Sequence, residues 1–236
     1  MLYQLVSIQL PFQMRRPRQR ELPFRTWGGK RRHAGRKPNA RRARVPHTKR
    51  PEHAARHPVH VTLRAVRRLP SLRTQRVFVD IRRALARTAR SWFRVLHFSV
   101  QADHVHLLVE ARDKTSLSRG LSGAGIRLAL AINRVLERRG SVWSDRYHAR
   151  ALRTPREVRH GIVYVLMNWR KHIPSARGLD ECSSASLFDG WKVPPASGPP
   201  DDDSPAPTRP PESWLARAGW KRHGLIGPNE RPKRAF

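Results

Sequence analysis

The spacing of apolar residues changes period several times between residues 58 and 175. His60–Val66 alternates and is rich in β-branched residues. That predicts a strand, because successive strand side chains point to opposite faces. Leu72–Ser91 carries Val77, Ile81, Leu85 and Ala89 at every fourth position, which predicts a helix. Trp92–Val100 and Asp103–Ala111 predict two more strands, joined at Gln101-Ala102 as an antiparallel hairpin. Leu117–Arg139 predicts a second helix with Ile126, Leu130, Ile132, Val135 and Leu136 as its apolar positions. Gly120, Gly123 and Gly125 loosen its start and Gly140 ends it. Val142–Leu152 predicts a fourth strand. In Thr154–His172, Thr154 and Glu157 form a capping box, Pro155 suits the first helical position, and Pro174 lies just beyond the end. The expected fold is α+β: a ferredoxin-like βαββαβ unit with a four-stranded antiparallel sheet and one added C-terminal helix.

The flanks change this picture. Residues 13–57 are rich in Arg and Lys with scattered Pro and Gly and no periodicity. Residues 1–57 are therefore expected to be a disordered basic arm, and 58–175 the folded domain. Residues 176–236 contain Pro194-Pro195, Pro199-Pro200, Asp201-Asp202-Asp203 and Pro210-Pro211, and are expected to be a mostly disordered tail. Within it, Ser213–Arg217 suits a short helical turn, and Trp214 and Trp220 are large enough to dock. Hydrophobic residues make up 38% of the chain and the formal net charge is +32. Such a charge predicts a polyanionic partner, nucleic acid first. A single cysteine, Cys182, excludes an intrachain disulfide and a cysteine-based zinc site. No apolar run is long enough for a membrane span, and residues 1–12 lack the layout of a signal peptide. A cytoplasmic, nucleoid-associated protein is expected. Gly35-Arg36-Lys37-Pro38 reads either as a minor-groove peptide or as plain phosphate attraction through Arg36 and Lys37.

Two features carry candidate chemistry. In Asp103-His104-Val105-His106-Leu107-Leu108-Val109-Glu110, the two histidines share a strand face about 6.6 Å apart. They can converge on one divalent metal, or be two half-exposed polar positions of an amphipathic strand. Asp103 either orients a ligand histidine or caps the hairpin. On the last helix Val158, Ile162, Val165, Leu166 and Trp169 gather on one side. Tyr164 and Asn168 lie roughly opposite, one turn apart, with Lys171 nearby. In the fourth strand Ser144, Arg146, His148 and Arg150 would share a face, as a phosphate-contacting row or a solvated one. Tyr147 alternates to the packing side.

Together these residues resemble the single-tyrosine HUH transposases, and among them the REP-associated tyrosine transposases. The resemblance runs over roughly residues 57–173. It rests on His60-Val61-Thr62-Leu63-Arg64, His104-Val105-His106, Gly140–His148 and Tyr164–Asn168; Trp169 stands where many members have proline. It implies Tyr164 as a nucleophile forming a 5′-phosphotyrosine link. It implies His104, His106 and Asn168 as ligands of Mg²⁺ or Mn²⁺; from their charge and placement Arg146, His148, Arg150 and Lys171 are candidate DNA contacts. The partner implied is single-stranded or hairpin DNA, with a homodimer compatible and no membrane. The alternative is a nucleic-acid-binding protein without catalysis, either a decayed transposase or a basic RNA-binding module on the same sheet.

Overall fold

The computed structural model describes residues 51–171, 173, 178–194 and 205–232. The sequence-derived element order holds: β1 Val59–Arg64, α1 Gln75–Ala86, β2 Phe93–Val100, β3 His104–Ala111, α2 Lys114–Val135, β4 His148–Ala151 and α3 Pro155–Met167. Every strand pair is antiparallel, and the sheet order is β2-β3-β1-β4, so β3 and β1 are central. Among the described residues no helix is long and apolar enough to cross a membrane.

The pleat divides the sheet into two faces with separate cores. Val59, Val61, Leu63, Val105, Leu107, Val109 and Phe98 pack toward α1 and α2, meeting Ile81, Leu85, Leu128 and Ile132. On the opposite face Leu96 and Leu108 pack with Val158, Ile162, Val165 and Leu166 of α3. A β-bulge between Val95 and His97 sets Leu96 outside the ladder, which lets it join this second core. α3 therefore covers the face that helices α1 and α2 leave open.

Several expectations need correction. α2 starts three residues earlier than the apolar pattern indicated, because the Asp113 side chain caps it, accepting from Ser116 N at 2.7 Å. Its glycines do not loosen it. A Cβ on Gly120 would stand 2.2 Å from the Phe93 ring, so Gly120 permits close helix–sheet contact. Ile126 and Leu130, two of the apolar positions that marked the helix, are 61% and 65% exposed. The buried stripe is Leu121, Ala124, Leu128, Ala131, Ile132 and Val135, where small residues hide the true phase. β4 is confined to His148–Ala151, and Trp143 makes only an isolated bridge to Ala65. The folded part also starts before Pro58: Ala54 bridges to Asp113, and the His53 ring nitrogen Nε2 lies 2.9 Å from Ala111 O. Arg36 and Lys37 lie outside the described residues.

The largest correction concerns the tail, expected to be mostly disordered. Residues 178–194 and 205–232 pack against the α3 side of the sheet through Phe188, Trp191, Leu215, Trp220 and Ile226. The short helix α4, Trp214–Arg217, forms where the turn was read. Trp220 is 2% exposed and donates its indole N–H to Ala216 O, whereas Trp214 is 46% exposed. Polar anchors complete the seam. The buried Glu110 carboxylate accepts from Glu212 N and Ser213 N at 2.8 and 3.0 Å, and Arg159 forms a double ion pair with Glu230. A few aromatics each bury a large area, so a proline-rich stretch of low average hydropathy still docks.

His97, in β2 against the Phe188 ring, is held neutral by burial, its pKa pushed down to about 4 despite Asp189 nearby. The unfolded chain, with an ordinary value near 6.5, binds more protons between those limits. Stability should therefore fall as pH drops from about 6.5 to about 4, by roughly 1–3 kcal/mol from this residue. Urea unfolding across that range should show a shallower decline for His97→Leu than for the unaltered protein. Parallel curves would exclude His97 as a source.

Candidate active site

The strand register assembles the site. Thr62 stands opposite His106 on one side and His148 on the other; Arg64 pairs with His104 and His60 with Arg150. Because the pairing is in register, the polar positions of β1, β3 and β4 fall on one face, the face under α3. β1 contributes His60 and Thr62, β3 contributes His104 and His106, and β4 contributes His148 and Arg150.

α3 brings the tyrosine to this face. Its start is fixed by the capping box: Thr154 Oγ1 accepts from Glu157 N, and Glu157 accepts from Thr154 N, each at 3.2 Å. Glu157 also pairs with Arg150 at 3.0 Å, tying the helix start to β4. Val158, Ile162, Val165 and Leu166 seat the helix on the second core. Tyr164 then meets two histidines: its ring centroid is 5.1 Å from that of His106 and 5.2 Å from that of His60, both edge-on. The His104 and His106 rings are 4.6 Å apart. After Met167 the backbone tightens into a 3₁₀ turn, Asn168–Lys171, which sets Lys171 Nζ 4.1 Å above the Tyr164 ring.

Local electrostatics follow from burial. Burial lowers the His60 pKa to about 4, assisted by His148, Arg150 and Lys171, so its ring is neutral. Burial pushes the Tyr164 hydroxyl above its ordinary value and lowers Lys171. Burial also raises the Asp103 carboxyl, but hydrogen bonds from His104 and Arg64 outweigh this and hold it low. His104 Nδ1 lies 2.6 Å from Asp103 Oδ1. His106, 3% exposed, has Nδ1 3.1 Å from Thr62 Oγ1 and 3.2 Å from His60 Nε2.

His104, His106, Tyr164 and Lys171 thus come together, with His148 and Arg150 on the same face. Arg146 does not join them. It precedes β4, in a non-strand segment where strand alternation does not apply, and lines a groove against α2 with Trp143 and Tyr147. Tyr147 packs against the core on the α1/α2 side. His60 and Thr62, quoted above only as part of the His60–Arg64 stretch, are site residues to which sequence reasoning gave no role. Their signal was the alternation of β1, which put both on the polar face without saying what they would meet.

Among the described residues no group of three or more His, Cys, Asp or Glu is arranged to hold a metal. A third ligand would have to be of another type. Asn168 is 2% exposed, and its Oδ1 is buried without a hydrogen-bond partner. Such an oxygen is rare in a folded protein, and a cation would satisfy it. Two imidazole nitrogens and one amide oxygen suit a hard or borderline ion with coordination positions left over.

Comparison with known proteins agrees with this architecture. No curated protein matches the chain. Among solved structures, a REP-associated tyrosine transposase bound to a REP hairpin aligns with 69% of this chain and 97% of its own, at a TM-score of 0.51 and 17% identity. At that identity the likeness is one of fold. Residues 54–159 match the family model of IS200-like transposases, a span that includes His104 and His106 and ends before Tyr164. Over that span the chain is similar to the IS200-like transposases.

Proposed function

We propose that this protein cleaves and rejoins single-stranded DNA, at or near hairpins, using Tyr164 as nucleophile. His104, His106 and Asn168 would hold Mg²⁺ or Mn²⁺. The observation that carries the reading is the approach of Tyr164 to His106, 5.1 Å between ring centroids, across residues far apart in sequence. The hairpin partner is suggested by the fold likeness to a transposase bound to a REP hairpin.

The chemistry follows from the site. A bound divalent ion would polarise the scissile phosphate and offset charge on its oxygens. Tyr164 starts as a protonated phenol, since burial disfavours the phenolate. Its oxygen attacks phosphorus; the Oη–P bond forms as the P–O3′ bond breaks. The phenolic proton leaves to solvent and the departing 3′-oxygen takes one up. A 5′-phosphotyrosine and a free 3′-hydroxyl result, and attack by a 3′-hydroxyl reverses the step without ATP. Lys171, above the Tyr164 ring, adds positive charge where the phosphate arrives, and His148 and Arg150 extend the polar face along β4. A cytoplasmic site of action on nucleoid DNA fits the reading.

The decisive experiment incubates the protein with labelled single-stranded hairpin DNA from its own genomic flanks and Mn²⁺. A covalent protein–DNA adduct stable to denaturation is expected. DNA binding with no adduct across such substrates would favour the non-catalytic alternative.

The basic N-terminal segment should contribute affinity without selectivity, because phosphate neutralisation is blind to sequence. Deleting residues 13–50, which include Arg36 and Lys37, should weaken binding to all DNA alike. The slope of log K against log[salt] should flatten by about 0.9 for each duplex phosphate that is no longer neutralised. A changed sequence preference with an unchanged slope would instead indicate groove reading by Gly35–Pro38.

A further inference from the structure

Resting on the metal-site reading above, we infer that Thr62 and His60 are positioning residues that set the tautomer of His106 and aim its Nε2 at the metal. The two proposed ligand histidines are supported differently. His104 Nδ1 faces the carboxylate of its own chain neighbour, Asp103, at 2.6 Å. A carboxylate can only accept, so His104 carries its proton on Nδ1 and offers Nε2. At His106 the facing groups are neutral. Its Nδ1 faces Thr62 Oγ1 at 3.1 Å and His60 Nε2 at 3.2 Å, both from β1.

Register makes this arrangement. Thr62 stands directly across from His106 in the β1–β3 ladder, and His60 is its diagonal neighbour on the same face. Both β1 groups can accept, and one N–H can be shared between two acceptors. With the His106 proton on Nδ1, the Nε2 lone pair is left for the ion, as at His104. Metal-bound imidazoles are generally held this way, by an acceptor on the other ring nitrogen. His60 also meets the Tyr164 ring at 5.2 Å, so one β1 residue contacts both the ligand histidine and the proposed nucleophile. The strand thereby fixes ligand and nucleophile in one frame.

The test has two readouts that do not depend on DNA cleavage. Long-range ¹H–¹⁵N correlation spectra of the metal-free protein at pH 7.5 report which nitrogen of His106 is protonated. The Nδ1–H form is expected. Mn²⁺ binding by electron paramagnetic resonance should weaken roughly 10–100-fold when the acceptors are removed in Thr62→Val combined with His60→Phe. The same variant should show a mixed tautomer population. Thr62→Ser, which keeps the hydroxyl, should preserve both the tautomer and the affinity. Melting curves identify any variant that fails to fold, and the unaltered protein alone still decides the tautomer. An Nε2–H tautomer in the unaltered protein, or an Nδ1–H tautomer and Mn²⁺ affinity unchanged in the double variant, would overturn the inference. Failure of the metal reading looks different: no Mn²⁺ binding by the unaltered protein, with the Nδ1–H form intact and lost in the double variant.

Discussion

Tyr164→Phe should abolish the covalent adduct while leaving the fold, Mn²⁺ binding and DNA binding intact. Only the hydroxyl is removed. The ring that meets His60, His106 and Lys171 stays, so packing at the site is preserved. Loss of a nucleophile typically costs on the order of 10⁴-fold or more in rate, because no neighbouring group substitutes for the bond it forms. His106→Ala should also abolish cleavage by a different route, with lowered metal affinity and partial recovery at high Mn²⁺; Tyr164→Phe should show no such recovery. Tyr147→Phe is the control, since Tyr147 packs on the far side of the sheet. An adduct that survived in Tyr164→Phe and disappeared in Tyr147→Phe would move the chemistry out of the site described above.

The second large effect is expected from the tail. Trp220→Ala removes one of the largest fully buried side chains, and such truncations cost about 3–5 kcal/mol. The melting temperature should fall by roughly 6–20 °C for a chain of this size. Trp220 packs in the same core as Val163 and Val165, the neighbours of Tyr164. The rate of adduct formation should therefore drop even where the variant remains folded, since small displacements of a reacting group are costly. Trp214→Ala, at a 46% exposed position, should change stability by less than about 1 kcal/mol. Equal melting temperatures for the two variants would mean that the tail is not part of the cooperative unit.

These two outcomes depend on different kinds of information. The strand–helix order was legible because period-2 and period-3.6 patterns report directly on which faces are buried. The capping box at Thr154 and Glu157, the His104/His106 pair on one strand face and the Tyr164–Asn168 spacing are likewise local. So is Asp103 beside His104. Each involves residues a few positions apart, where backbone geometry alone fixes the relation.

What could not be read required knowing which distant segments meet. The stripe of α2 was misphased because its contact residues include Ala and Gly, which carry little apolar signal, while the larger Ile126 and Leu130 face outward. Arg146 looked like part of a strand row until the β1–β4 ladder proved to begin at His148. The tail looked unfolded because Trp191, Trp220 and Ile226 are sparse in it, and their burial depends on a surface supplied by α3. Thr62 and His60 lie 44 and 46 residues from His106. Their meeting is set by strand register, a long-range property that local pattern does not encode. Each motif of the site is local in sequence, and tertiary pairing decides which motifs meet and what holds each of them in place.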